Sequence, residues 1–173
     1  MAKIDKLIPF ILKWEGGFVN DPQDLGGATN KGITINTFRY YRQIRKLPNP
    51  TIEDLKNISD EEWKDILRTF FWDKWQADRI TNQSLANILV DWVWASGSFG
   101  IKLPQQLLGV DSDGLVGNRT LFAVNTYYPQ KELFEKLKQA RFDFLEKICR
   151  SRPQNRKFKK GWENRINDLK FEE

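Results

Sequence analysis

The sequence predicts a mainly α-helical fold, and three observations carry this prediction. Apolar residues recur at helical spacing along most of the chain, strand signals are few, and residues 131–150 form one long amphipathic pattern. The exception is segment 16–34, which holds five glycines among several Asn and Asp residues. This composition predicts an irregular Gly-rich loop or a short hairpin. With 173 residues, of which 40% are hydrophobic, the chain can bury a substantial core.

Each helix follows from an apolar face or from a capping residue. The first spans residues 4–15, where apolar side chains recur at helical steps until Gly16 and Gly17 end the pattern. Residues 59–62 form a capping box that opens a helix reaching Trp72. Residues 84–95 are apolar nearly all round, which predicts a central buried helix. Further helices are predicted over residues 37–45, 51–56, 103–108, 118–125, 131–150 and 156–169.

The residue types present exclude several kinds of chemistry. The chain has one cysteine and no histidine, so it cannot form an intramolecular disulfide, a Cys/His zinc site or a His-dependent catalytic triad. Acid–base catalysis must therefore use carboxylates, tyrosine or lysine. Segment 27–34 has the glycine spacing of a phosphate-binding loop but places Ile33 where the lysine is needed, and segment 111–114 lacks the bidentate glutamate of a calcium loop. No metal and no other cofactor are expected.

Positive charge is concentrated near the C-terminal end. From residue 136 onward there are 12 Lys and Arg residues against six Asp and Glu, whereas residues 1–135 hold 16 against 17. This excess, which includes Lys157, Lys159, Lys160 and Arg165, favours an anionic partner such as a cell-wall polymer or nucleic acid. A solvated basic helix face is the structural alternative.

The N-terminal segment does not have the pattern of a secretory signal or a membrane span. Its longest apolar run covers residues 7–12 and is followed at once by Lys13, Trp14 and Glu15. The expectation from this pattern is a protein without membrane insertion that accumulates in the cytoplasm.

Glu15 is the strongest candidate for a catalytic acid. It continues the apolar stripe of the first helix, so its carboxyl should lie on the core side, where desolvation and the negative helix end favour the protonated form. A protonated carboxyl is what a glycosidase uses to protonate its leaving group. The Gly-rich loop can then bring Asp24 and Thr29 back across the helix end as second carboxylate and water-holding hydroxyl. Asp21 competes with Asp24, and both aspartates also suit ordinary Asx turns.

The segment 15–34 reads Glu-Gly-Gly-Phe-Val-Asn-Asp-Pro-Gln-Asp-Leu-Gly-Gly-Ala-Thr-Asn-Lys-Gly-Ile-Thr. It closely resembles the signature of glycoside hydrolase family 108, the bacterial and phage N-acetylmuramidases also labelled secretion activator proteins. The resemblance continues through segments 71–73 and 91–97, and into segments 113–120, 140–141 and 160–165, which are similar to the peptidoglycan-binding part of that family. Nearly the whole chain is covered.

The resemblance implies a lysozyme-like helical fold in which Glu15 is the catalytic acid. The order of Glu15, Asp24 and Thr29 is also similar to the Glu-Asp-Thr arrangement of phage lysozymes. Four residues separate Asp24 from Thr29 here, whereas five are usual there, so Asp21 stays open as the second carboxylate. The residues expected to bind substrate are Asp21, Asn30, Trp72, Asp91, Trp94 and Ser96. Trp75 and Trp92 are further aromatic candidates, with Trp92 and Trp94 on different sides of one helix.

The activity implied is hydrolysis of the β-1,4 bond between N-acetylmuramic acid and N-acetylglucosamine. Residues 1–100 would form the catalytic region, and residues 101–173 a helical peptidoglycan-binding-like region packed on it. The expected partners are peptidoglycan glycan strands and anionic wall polymers, not nucleic acid, and the chain is expected to act as a monomer. It resembles phage or prophage endolysins that stay in the cytoplasm until they are released to the wall. The alternative function is a non-catalytic peptidoglycan-binding or secretion-promoting module.

Overall fold

The structure is a computed structural model that describes residues 1–23 and 26–173. It confirms the mainly α-helical fold with one small sheet. The chain divides into two compact units, which we call the smaller unit (residues 5–70) and the larger unit (residues 1–4 and 71–173). Within the described ranges, no helix is both long and apolar enough to cross a membrane.

The smaller unit contains four helices and a two-stranded hairpin in its described part. Their bounds are α1 (Ile8–Trp14), β1 (Thr29–Asn30), β2 (Ile33–Thr34), α2 (Ile35–Ile44), α3 (Ile52–Lys56) and α4 (Asp60–Leu67). A 3-10 turn (Ile4–Lys6) precedes α1, and a π-helical turn (Arg68–Trp72) follows α4. The first predicted helix is thus two pieces, because Pro9 lacks an N–H and is tolerated only in the first turn of α1.

Side-chain caps define the start of three helices in this unit. Thr34 accepts a hydrogen bond from the backbone N–H of Thr37 at the start of α2, and Ser59 accepts one from Glu62 at the start of α4. Thr51 forms a complete capping box with Asp54 at the start of α3. These bonds satisfy backbone donors that a helix leaves open at its first turn.

A polar network links α2 to α4 next to the core of the smaller unit. The hydroxyl of Tyr41 donates to Asp65 at 2.7 Å, and the Arg45 guanidinium donates to the same carboxylate at 3.2 and 3.3 Å. Burial, followed by the hydrogen bond to the Asp65 carboxylate, raises the pKa of Tyr41 to about 12. Burial alone would raise the pKa of Asp65, but the hydrogen bonds from Tyr41 and Arg45 lower it below its usual value.

The larger unit is built around one buried helix. Its elements are 3-10 turns (Asp73–Trp75 and Ala77–Arg79), α5 (Gln83–Ser96), α6 (Phe99–Leu108), α7 (Asn118–Thr126), α8 (Gln130–Ser151), a 3-10 turn (Pro153–Asn155) and α9 (Arg156–Asp168). Residues on nearly all sides of α5 are buried, as predicted, and α5 contacts α6 and α8. α8, with 22 residues, also contacts α9.

Helix α6 begins four residues earlier than its sequence predicts. Pro104 lies inside it and cannot donate the backbone hydrogen bond that the carbonyl of Gly100 would otherwise accept. The indole Nε1 of Trp75 donates to that carbonyl instead, at 3.2 Å. Gly100 also lies directly against α5, so that an added Cβ would be 2.5 Å from the carbonyl carbon of Trp92.

The loop between α6 and α7 is held by the buried amide of Gln105. Its Oε1 accepts from the N–H of Gly114 at 2.9 Å, and its Nε2 donates to the carbonyl of Leu115 at 3.0 Å. The same Nε2 lies 3.3 Å from Asp113 Oδ1 and 3.2 Å from Thr120 Oγ1. One side chain of α6 thus makes several contacts with this loop, and Nε2 of Gln76 also donates to the loop carbonyl of Val116 at 2.5 Å.

Candidate active site

Glu15 lies immediately after α1, at the negatively polarised end of that helix. Its backbone is extended, with φ −95° and ψ 143°, and its N–H donates to the carbonyl of Ile11 at 3.0 Å. The side chain is half-buried. The helix thus ends one residue earlier than its sequence predicts, and Glu15 is the residue at which the chain turns into the Gly-rich segment.

A backbone bridge brings the end of the Gly-rich segment back toward Glu15. Val19 and Thr29 exchange two hydrogen bonds of 2.8 Å, N–H to carbonyl in each direction. Thr29 then pairs with Thr34 across the antiparallel hairpin. Lys31 and Gly32, at the hairpin turn, have φ of 49° and 81°, which is typical of a type I′ turn. The segment is therefore a loop closed at its base and followed by a hairpin, in agreement with its glycine and asparagine content.

The other candidate catalytic residues differ in how the structure places them. Thr29 is half-buried on β1, with its backbone paired on both sides. Asp21 is exposed, and its Oδ1 accepts from the N–H of Gln23 at 2.9 Å, which is an Asx turn. Asp24 lies outside the described residues.

Asn30 is a structural residue rather than an exposed substrate contact. Only 5% of it is exposed, and its amide donates to the carbonyls of Leu55 and Lys56 at 3.0 and 3.1 Å. These carbonyls belong to the end of α3, where a helix leaves acceptors open. The amide thereby attaches the hairpin to α3, which corrects the expectation that Asn30 binds substrate.

Three of the four candidate tryptophans are core residues. Trp72 and Trp75 are fully buried and Trp92 is 1% exposed, so none of them presents a ring face to a sugar. The indole of Trp72 donates to Asp78 at 2.9 Å. Trp72 therefore has a packing role, against the expectation that it binds substrate. Trp94 is half-buried, with its ring 4.7 Å from that of Phe71.

Asp91, expected to bind substrate, is instead the centre of a buried ion-pair cluster in the larger unit. It is fully buried on α5, and its two oxygens contact Arg141 of α8 at 2.9 Å and Arg165 of α9 at 2.7 Å. A carboxylate enclosed in this way cannot reach a glycan strand. Ser96, at the end of the same helix, is half-buried.

Sequence reasoning missed Arg141 as the partner of Asp91, although a signal for it was present. Arg141 continues the apolar stripe of α8 that includes Leu133 and Leu137, and a charged residue on such a stripe indicates a buried partner.

The structure also corrects the prediction that Lys159 and Arg165 bind a polyanion. Lys159 contacts the carboxylate of Glu146 at 2.6 Å, and Arg165 contacts that of Asp91 at 2.7 Å. Both cations therefore already form ion pairs within the protein.

The described residues contain no cluster of side chains suited to a metal ion. No group of three or more His, Cys, Asp or Glu side chains in residues 1–23 and 26–173 is arranged to hold an ion. At the Glu15 end of the smaller unit, the described residues place a half-buried carboxyl next to the Val19–Thr29 bridge.

Comparison with known proteins gives two family matches and a structural relative. The model of glycosyl hydrolase 108 matches residues 8–97, and the model described as "Predicted Peptidoglycan domain" matches residues 99–167. No curated protein matches the chain. The solved structure of SagA from Brucella abortus is 29% identical, with 96% of this chain and 90% of that chain covered and a TM-score of 0.78. These matches support a peptidoglycan-related glycosidase function. The chain belongs to the glycosyl hydrolase 108 family.

Proposed function

We propose that the protein is an endo-N-acetylmuramidase that hydrolyses the β-1,4 bond between N-acetylmuramic acid and N-acetylglucosamine in peptidoglycan. The observation that carries this proposal is the match of residues 8–97 to glycosyl hydrolase 108, since this range contains Glu15 and the whole closed loop. The position of Glu15 at a helix end, half-buried, supports its role as the acid.

In the proposed mechanism, Glu15 protonates the glycosidic oxygen as the bond to the muramic acid breaks. A second carboxylate, Asp24 or Asp21, either attacks the sugar or activates a water molecule, and Thr29 helps to hold that water. The chain contains no histidine, and we assign both roles to carboxylates. We assign catalysis to residues 1–100 and wall capture to residues 101–173, acting as a monomer on glycan strands and anionic wall polymers.

The test is a pair of matched variants in a peptidoglycan-clearing assay. Glu15→Gln keeps the size of the side chain but cannot deliver a proton, and loss of a general acid costs about 10²–10⁴ in rate. We expect its clearing activity to fall by at least that factor while its melting curve stays cooperative. Glu61→Gln, an exposed change on α4, is the control and should clear walls at the parent rate. Folded Glu15→Gln protein that clears walls normally would refute the mechanism.

The bond cleaved is identified from the products. Mass spectrometry of reduced digestion products should show muramic acid at the reducing end. Glucosamine at the reducing end would assign the other glycosidic bond. Anomer analysis by NMR then separates retention from inversion, which depends on whether the carboxylates are about 5 or about 6.5–9.5 Å apart.

We further propose that the protein acts as an endolysin, which reaches the cell wall only once the inner membrane has been opened. Expression of the chain in a bacterial host should cause lysis only after the inner membrane is permeabilised. Lysis that needs no permeabilisation would contradict this role but leave the hydrolytic activity intact.

The second candidate is a non-catalytic peptidoglycan-binding or secretion-promoting module, favoured by the separate match of residues 99–167 to a peptidoglycan domain. Co-sedimentation of the protein with cell walls, without any clearing of the suspension, would support this second function.

A further inference from the structure

An open cleft of about 560 Å³ lies in the larger unit, between the loop that follows α6 and one face of α7. Asp111 lines it from the loop, and Asn118, Arg119 and Phe122 line it from α7. Phe122 lies three positions after Arg119 and four after Asn118, so its ring neighbours both side chains on the helix surface. The cleft thus combines an aromatic ring, an amide and two side chains of opposite charge.

The ring of Phe122 is offered to solvent. The residue is 69% exposed, whereas phenylalanine is usually buried, and it contacts no other aromatic ring in the described part of the chain. An exposed apolar surface rimmed by polar groups is typical of a binding site. A flat aromatic face of this kind stacks on the C–H face of a pyranose ring.

The polar groups around this ring have hydrogen-bonding capacity to spare. Asp111 and Arg119 are exposed, and neither has a hydrogen-bond or ion-pair partner among residues 1–23 and 26–173. The Oδ1 of Asn118 accepts from Arg79 at 2.9 Å, which orients the amide, while its Nδ2 meets no acceptor in the same ranges. The cleft therefore presents both donors and acceptors, which is what sugar hydroxyls require.

Asp111 lies in a loop that is anchored on both sides of it. The N–H of Val110 donates to the carbonyl of Gln105 at 3.1 Å, and the N–H of Gly114 donates to Oε1 of the same residue at 2.9 Å. The backbone that carries Asp111 is thus ordered before any ligand binds. Preorganisation of this kind lowers the entropy cost of binding.

We propose that this cleft binds an N-acetylhexosamine residue of a glycan strand. The inference rests on the proposed function, because it takes peptidoglycan as the substrate, and it assigns wall capture to a defined site. The ring of Phe122 suits the pyranose face, the amide of Asn118 suits an acetamido carbonyl, and the two charged groups suit hydroxyls.

Two further observations agree with a glycan as the occupant. All four residues belong to the range that matches a peptidoglycan domain, and the volume lies within the ~300–1,000 Å³ of small-molecule sites. The charges of Asp111 and Arg119 cancel, so the cleft has no excess of positive charge for a polyphosphate or a nucleic-acid backbone.

The probe is N,N′,N″-triacetylchitotriose, titrated into the full chain and followed by NMR. We expect a saturable shift of the backbone amide signals of residues 109–123 and of the side-chain amide signal of Asn118. Cellotriose, which lacks acetamido groups, should bind about fivefold more weakly. Phe122→Ala should weaken binding about tenfold, whereas Phe158→Ala, which removes another exposed ring, from α9, should bind as the parent does. Asp111→Asn leaves the ring in place and should weaken binding about threefold.

Several outcomes would overturn the proposal. No shift in residues 109–123 up to the solubility limit of the trisaccharide would exclude the site. Equal binding by the parent and by folded Phe122→Ala would exclude stacking on the ring. Shifts of the same signals when the protein is concentrated without sugar would assign the face to a second copy of the chain.

The two proposals fail separately. Glu15→Gln should give the same sugar-induced shifts in residues 109–123 as the parent. If the parent gives these shifts but does not clear walls, the muramidase proposal is wrong and the sugar site stands. If the parent clears walls without giving these shifts, only the sugar site is wrong.

Discussion

Replacement of Gly100 by alanine tests the close packing of α5 against α6. The added Cβ would lie 2.5 Å from the carbonyl carbon of Trp92 and 2.8 Å from its oxygen, and closer still to the backbone nitrogen of Val93. These are backbone atoms of a buried helix, so no side-chain rotation can relieve the overlap, and α6 must move by about 1 Å to restore contact distances of ~3.5 Å. Overpacking costs about 1–3 kcal/mol, and the rigid neighbours place this case at the upper limit.

Alanine also favours a helix over glycine by about 1 kcal/mol, which leaves a net loss of about 2 kcal/mol. For a chain of this length, that loss lowers the melting temperature by about 4–8 °C. The matched control is Gly161→Ala in α9, where an added Cβ meets no atom within 4 Å. This variant should melt about 1–4 °C above the parent. Circular dichroism at 222 nm measures both, and a Gly100→Ala protein as stable as the parent would refute the packing argument.

Three further predictions concern charged residues. Asp91→Asn should lower the free energy of unfolding by about 3–5 kcal/mol in urea denaturation, because the buried Arg141 loses its carboxylate and the half-buried Arg165 loses its contact with the same group, and a loss below 1 kcal/mol would mean that the cluster is solvated. Asp65→Asn should destabilise the protein more at pH 6 than at pH 3. The pKa of Asp65 is lower in the folded state, so its stabilisation is present above the unfolded value of 3.8 and is lost as pH falls through the folded value; an equal effect at both pH values would contradict this. Lys157→Gln with Lys160→Gln should weaken wall binding and reduce its salt dependence while sparing turnover of short soluble substrates, and unchanged salt dependence would exclude electrostatic capture through these residues.

The helices that could be predicted are those whose buried face shows as a regular spacing of apolar residues in the local sequence. The central helix α5 and the long helix α8 show their buried faces directly in the spacing of apolar residues. The start of α6 could not be predicted in this way. Pro104 leaves the carbonyl of Gly100 without its helical donor, and Trp75, 25 residues earlier in the sequence, donates to it instead. Local propensity contains no information about such a donor.

The same distinction applies to the candidate site. Glu15 and Thr29 belong to one continuous motif, so their positions beside the closed loop follow from nearby residues. Trp72 and Asp91 are expected from the sequence to bind substrate, but burial gives both a structural role. Arg141, the partner of Asp91, lies 50 residues away in the sequence. The one sequence signal for this buried ion pair is the position of Arg141 on the apolar stripe of α8.

The side-chain amide of Gln105 on α6 bonds directly to the loop before α7, to the N–H of Gly114 and to the carbonyl of Leu115. Asp113, which resembles an ion ligand by sequence, already accepts hydrogen bonds from the N–H of Leu115 and from Gln105. The amide of Gln105 is neutral and does not titrate, so its two bonds to the loop backbone do not depend on the charge state of any side chain.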